Sequence, residues 1–86
     1  MKVDVDMNLD SDSFIITFNI KNLKADKDYE VAHELVSCIC GDYNIDPELS
    51  IEDIVGLVHD TKESGAEEFT FEISEEGLEA EIIAKK

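Results

Sequence analysis

Two groups of residues invite a chemical reading. Asp4, Asp6, Asn8, Asp10 and Asp12 alternate near the start of the chain, and His33, Cys38, Cys40 and His59 supply the donor types of a zinc site. Alternating oxygen donors resemble a calcium loop, but a loop of the EF-hand type needs a glycine at its sharp turn and a closing glutamate. Neither stands at the required place, and Val5, Met7 and Leu9 complete a strand alternation in which the carboxylates fan along one face. The zinc reading fails on spacing. Cys38 and Cys40 fall in a predicted helix that splays their thiols, whereas zinc sites set a cysteine pair on a turn. The same geometry opposes a disulfide, so both are expected to be reduced core thiols.

Catalysis has little to stand on. Surface carboxylates are alike and ionised, while acid–base chemistry needs two groups whose environments push them apart. There is no glycine-rich phosphate loop, nucleophile elbow or HExxH motif. A pairing of His33 with Cys38 or Cys40 is outweighed by the packing role usual for cysteine on an apolar helix face. The chain is expected not to be an enzyme, and to use no cofactor and no metal.

What remains is charge. The 86 residues hold 22 Asp and Glu against 7 Lys and no Arg, for a net charge of -15. Nucleic-acid binding draws on Lys and Arg to neutralise phosphate and on Arg to read base edges, so direct binding of DNA or RNA is excluded. Adhesion to anionic membranes is excluded for the same reason. No apolar run approaches the ~18 residues of a spanning helix. Met1-Lys2-Val3-Asp4 opens an alternating pattern in place of a signal peptide, so a cytoplasmic location is expected. At this length residues 1–86 make one acidic α+β domain with one modest core, and any site must lie on the surface or in a shallow cleft.

The elements follow from periodicity. Val3, Val5, Met7 and Leu9 alternate with Lys2, Asp4, Asp6 and Asn8; after a turn centred on Ser11-Asp12, Phe14, Ile16, Phe18 and Ile20 resume the pattern. This register pairs Leu9 with Phe14, Met7 with Ile16 and Val5 with Phe18. Asp26 is the expected cap of a helix running to about Cys40, with Val31, Ala32, Leu35, Val36 and Ile39 inward and Gly41 as its stop. Ser50-Ile51-Glu52-Asp53 reads as a capping box for a second helix with Ile51, Ile54, Val55 and Val58 inward, closed by Ser64-Gly65. Phe69, Phe71 and Ile73, then Leu78, Ala80, Ile82 and Ala84, form a second hairpin; a Glu76-Gly77 loop pairs Ile73 with Ala80, Phe71 with Ile82 and Phe69 with Ala84. The order is ββααββ. Its economical solution is a two-layer sandwich: a four-stranded, largely antiparallel sheet with two helices on one face. Strand order stays open.

This organisation patterns the charge. The outward residues of the strands gather Asp4, Asp6, Glu68, Glu72, Glu79 and Glu81 on the uncovered sheet face, with Glu72 opposite Glu81, a like-charge pairing that stability alone would not favour. A secondary acidic surface runs along the helical half through Glu30, Glu34, Glu48, Glu52 and Asp53. Lys21, Lys24 and Lys27 form a small cationic island between strand two and the first helix. A small domain is kept soluble by a net charge of roughly 2 to 8 in magnitude, and larger values oppose the compact state. Halophilic origin is a poor account of a chain with several lysines, no arginine and many isoleucines; folding at low salt is the test of it.

Gly41-Asp42-Tyr43-Asn44-Ile45-Asp46-Pro47-Glu48 resembles the loop before the second helix of acyl carrier proteins, which are also small and acidic. That family is all-helical and carries its prosthetic arm on a serine in an Asp-Ser-Leu context, which this chain lacks. In size, acidity and mixed build the chain is similar, at the level of a class, to small phage proteins that block CRISPR effectors, restriction enzymes or DNA-repair enzymes. The function expected is binding and inhibition of a basic, nucleic-acid-binding protein by mimicry of nucleic-acid charge. The alternative is a bacterial or phage interaction module without inhibitory activity, which binds a basic partner or self-associates as a homodimer through a sheet edge, with Ile15 and Ile83 as outward apolar contacts.

Overall fold

The computed structural model describes residues 3–10 and 12–83. The outward position expected of Lys2, the turn position of Ser11 and the inward position of Ala84 lie outside the described residues. The elements are β1 (Asp4–Asn8), β2 (Ser13–Asn19), α1 (Asp26–Asp42), α2 (Ile51–Glu63), β3 (Glu68–Ser74) and β4 (Gly77–Ile83), with a single 3-10 turn at Ile20–Asn22 after β2. The strands form one antiparallel sheet in the order β1-β2-β3-β4, and α1 and α2 are inserted between the two central strands. The two hairpins therefore meet through β2 and β3.

Both hairpins turn earlier than periodicity alone suggests. In the first, Asn8 pairs with Ser13, Met7 with Phe14 and Val5 with Ile16, a shift of two residues from the expected register. The Asn8 side chain accepts the Asp10 amide at 3.1 Å and so starts the turn at once, leaving Leu9 in the loop. In the second, Ser74 pairs with Gly77, Ile73 with Leu78, Phe71 with Ala80 and Phe69 with Ile82. The loop is Glu75-Glu76, because Gly77 takes a φ of 134° that glycine alone adopts without strain and Ser74 Oγ accepts the Glu76 amide at 3.2 Å. A slip of two residues preserves the side-chain face, so the residues within the strands keep their expected faces, while Leu9 and Ile20, expected on the inner face, leave the sheet for the turn and the 3-10 turn.

The helix ends are set by local chemistry. Ala25, not Asp26, is the N-cap of α1, and Asp28 does the capping: its Oδ2 accepts the amides of Lys24 at 3.0 Å and Ala25 at 3.1 Å. Gly41 does not stop the helix. Asn44 does, with a φ of 58°, as the Asn44 amide bonds the Gly41 carbonyl and the Ile45 amide the Cys40 carbonyl in a Schellman motif. The Ser50 capping box of α2 is present as expected, and Gly65 with a φ of 81° ends that helix with a second Schellman pair, Gly65 to Lys62 and Ala66 to Thr61.

The core lies between the helices and the central strands. Ile16, Phe18, Phe69, Phe71 and Ile73 from the sheet meet Ala32, Val36 and Cys40 from α1 and Ile54 and Val58 from α2. Phe18 stacks on Phe69 at 5.6 Å between ring centroids, and Phe71 stands edge-on to both. Such aromatic pairs add about 0.5–1.5 kcal/mol each beyond the area they bury. Three residues expected inward, Val31, Ile51 and Val55, are exposed, because the sheet offers each helix a stripe narrower than its full apolar arc. Cys40 is buried as expected, and burial pushes its thiol pKa up; Cys38 is exposed and is not a core thiol.

Candidate functional site

The uncovered face of the sheet can be laid out rung by rung from the strand registers. One rung reads Asp6, Ile15, Glu72, Glu79 and the next Asp4, Thr17, Thr70, Glu81, followed by Asn19, Glu68 and Ile83. All six expected acidic residues fall on this face. Glu72 lies opposite Glu79, not Glu81, because of the two-residue shift in the second hairpin; Glu81 faces Thr70 instead. The like-charge pairing itself survives with a different partner.

The arrangement has a definite shape. Asp4 and Asp6 mark one margin and Glu79 and Glu81 the other, separated by three strand spacings, about 14 Å. Glu68 and Glu72 sit on β3 beside the second margin, and β2 supplies a neutral strip of Ile15, Thr17 and Asn19 between the acidic rows. Within each strand, same-face carboxylates are spaced by about 6.6 Å. Asp4, Asp6, Glu79 and Glu81 are exposed, while Glu68 and Glu72 are half-buried. A shallow depression of about 320 Å³ lined by Ile15, Thr70, Glu72, Glu79 and Glu81 lies on the face. No lysine among the described residues belongs to these rungs.

The secondary acidic surface is dispersed. Glu30 and Glu34 are exposed on α1, Glu48 lies in the loop before α2, and Glu52 and Asp53 open α2. Asp53 is engaged structurally, since its Oδ2 accepts the Ser50 amide at 2.9 Å while Ser50 Oγ accepts the Asp53 amide. Glu52 in the same first turn stabilises the positive end of the helix. These residues belong to separate elements on the helical side and do not form a grid like that of the sheet.

The four side chains with zinc-donor chemistry are dispersed as well. His33 Nε2 lies 2.6 Å from the Leu49 carbonyl and pins the interhelical loop to α1, His59 pairs with Glu63 one turn on at 3.2 Å, and Cys40 is in the core. Among the described residues no three His, Cys, Asp or Glu side chains converge as a metal ion would require. At the turn end of the sheet, burial and then the negative fields of Asp12, Glu75 and Asp42 push the Tyr43 phenol pKa up; its ring meets Phe14 edge-on at 6.0 Å.

Two features escaped sequence reasoning. Lys62 from the end of α2 joins Lys21 and Lys24 around a groove lined also by Ile20, Leu23 and Tyr29, and Lys21 pairs there with Glu67 at 3.2 Å. Lys27, expected in the same island, does not line it. The second feature is the outer strand β1, whose apolar side chains the helices leave uncovered, Val5 being 45% and Met7 48% exposed, with Leu9 in the following turn 82% exposed. Alternation signals which face these residues share, but not whether a helix reaches far enough to cover them. Among the described residues no helix is long and apolar enough to cross a membrane. No family model, curated protein or solved structure matches the chain.

Proposed function

We propose that the protein binds and inhibits a nucleic-acid-binding protein by occupying its basic groove with the open face of the sheet. The observation that carries this reading is the grid of Asp4, Asp6, Glu68, Glu72, Glu79 and Glu81, with Glu72 directly opposite Glu79 at a cost to stability. Two acidic margins about a neutral strip offer a groove-shaped receptor what two phosphate strands offer it: rows of negative charge at fixed separation. A groove that releases counterions on meeting phosphate also accepts fixed carboxylates, and the association is fast and sensitive to salt. The partner is a basic protein of the cytoplasm in a bacterium or an infected host cell. CRISPR effectors, restriction enzymes and DNA-repair enzymes are its candidate classes, with the protein as a phage-type inhibitor. No catalytic step is assigned to it.

The test is capture from a bacterial lysate on the immobilised protein at low and high salt. Recovery at low salt of a nuclease or other DNA-processing enzyme, released by competing duplex DNA, is expected. A partner retained regardless of salt and DNA overturns the charge-mimic reading in favour of an interaction module.

A further inference from the structure

β1 is an outer strand of five residues, and the one device by which it blunts its edge is the charge of Asp4 and Asp6. Among its described residues there is no lysine, no proline and no bulge, and its pairing with β2 is continuous from Asp4 to Asn8. Its two faces differ in chemistry. Asp4 and Asp6 point to the open side of the sheet, while Val5 and Met7 point to the helical side, where they remain about half exposed beyond the reach of α1 and α2. The opposite edge is different: on β4, Leu78 and Ile82 pack partly on the core, and Ala80 alone of its helix-side residues is exposed.

We infer that the free edge of β1 is a docking site for an extended segment of the partner in which basic and apolar residues alternate. Added as a fifth strand, such a segment bonds its backbone to the unpaired edge of β1. Its basic side chains then lie beside Asp4 and Asp6, and its apolar ones cover Val5 and Met7. A second copy of this chain fits badly. An antiparallel pair of β1 strands centred on Val5 sets Asp4 of each copy opposite Asp6 of the other, and each molecule carries a net charge of -15. The charge half of this inference rests on the acidic face proposed above; the strand geometry and the apolar half do not.

The experiment uses an acetylated, amidated hexapeptide of alternating lysine and valine, and an isomer with all its lysines before all its valines. Both are titrated into the protein by calorimetry in dilute buffer. The alternating peptide is expected to bind about tenfold more tightly than the block isomer, and to slow hydrogen exchange at the amides of β1. The charge-neutral double variant Val5→Gln, Met7→Gln is expected to lose that preference while still binding both peptides weakly. Equal binding of the two peptides overturns the edge site and leaves the acidic face standing. Absence of binding by either overturns both readings. Dimerisation of the protein alone, seen by sedimentation and lost in the double variant, assigns the edge to a second copy and overturns the partner segment.

Discussion

Glu72 on β3 and Glu79 on β4 face each other directly across the open side of the sheet. Like charges in this position oppose the pairing of their strands, whereas opposite charges support it by roughly 0.2–1 kcal/mol. Glu79→Lys is therefore expected to raise stability by about 0.5 kcal/mol at low ionic strength. Urea unfolding at low and high salt checks this, and the gain should shrink as salt screens the pair.

The same position separates stability from function. Reversing Glu72, Glu79 and Glu81 together to Lys is expected to abolish partner binding with the fold intact, as judged by circular dichroism and the unfolding midpoint. Unchanged affinity in that variant would remove the open face from consideration.

Asp53 makes a contrasting case, because its carboxylate is already engaged at the start of α2. Asp53→Ala should cost about 1 kcal/mol of stability through loss of its bond to the amide of the N-cap Ser50, one half of the capping box. Partner affinity, measured at a temperature where the variant is fully folded, should stay at the wild-type value.

The two thiols are expected to differ sharply in reactivity. Cys38 is exposed, whereas Cys40 is buried with a pKa raised by that burial. A chromogenic disulfide reagent should modify one thiol rapidly in the folded protein and the second only on unfolding; Cys38→Ser should remove the rapid phase.

Tyr43 should titrate late. Its phenol is pushed above the ordinary value of 10.0, by burial first and then by Asp12, Glu75 and Asp42. A folded-state pKa above the unfolded one means that the contribution to stability is complete below the unfolded value and is lost as pH rises through the folded one. Phenolate absorbance in Tyr29→Phe isolates this group. Added salt should reduce the shift only in part, since screening removes the carboxylate contribution and leaves burial.

Element order, the faces of the residues within the strands and the gathering of six carboxylates were legible because strand alternation survives any even slip in register. The slip itself was not legible. It depended on the Asn8 side chain taking the Asp10 amide and on the backbone angle of Gly77, both of which are choices among turns of similar composition. Gly41 looked like a helix stop, but Asn44 accepted the left-handed conformation three residues later and the helix ran on. The exposure of Val5 and Met7 depends on how far two helices extend over a sheet, and that of Val31 and Val55 on how wide a stripe of each helix the sheet covers; periodicity carries no information about either.

Insertion of both helices between β2 and β3 divides the sheet into two local ribbons and one distant seam. Each ribbon closes across a short turn, but joining Asn19 to Glu68 must first bring together points separated by more than half the chain. Closure entropy grows with that separation, so the central seam should limit the folding rate, and the aromatic contacts of Phe18 with Phe69 and Phe71 are what compensate the delay.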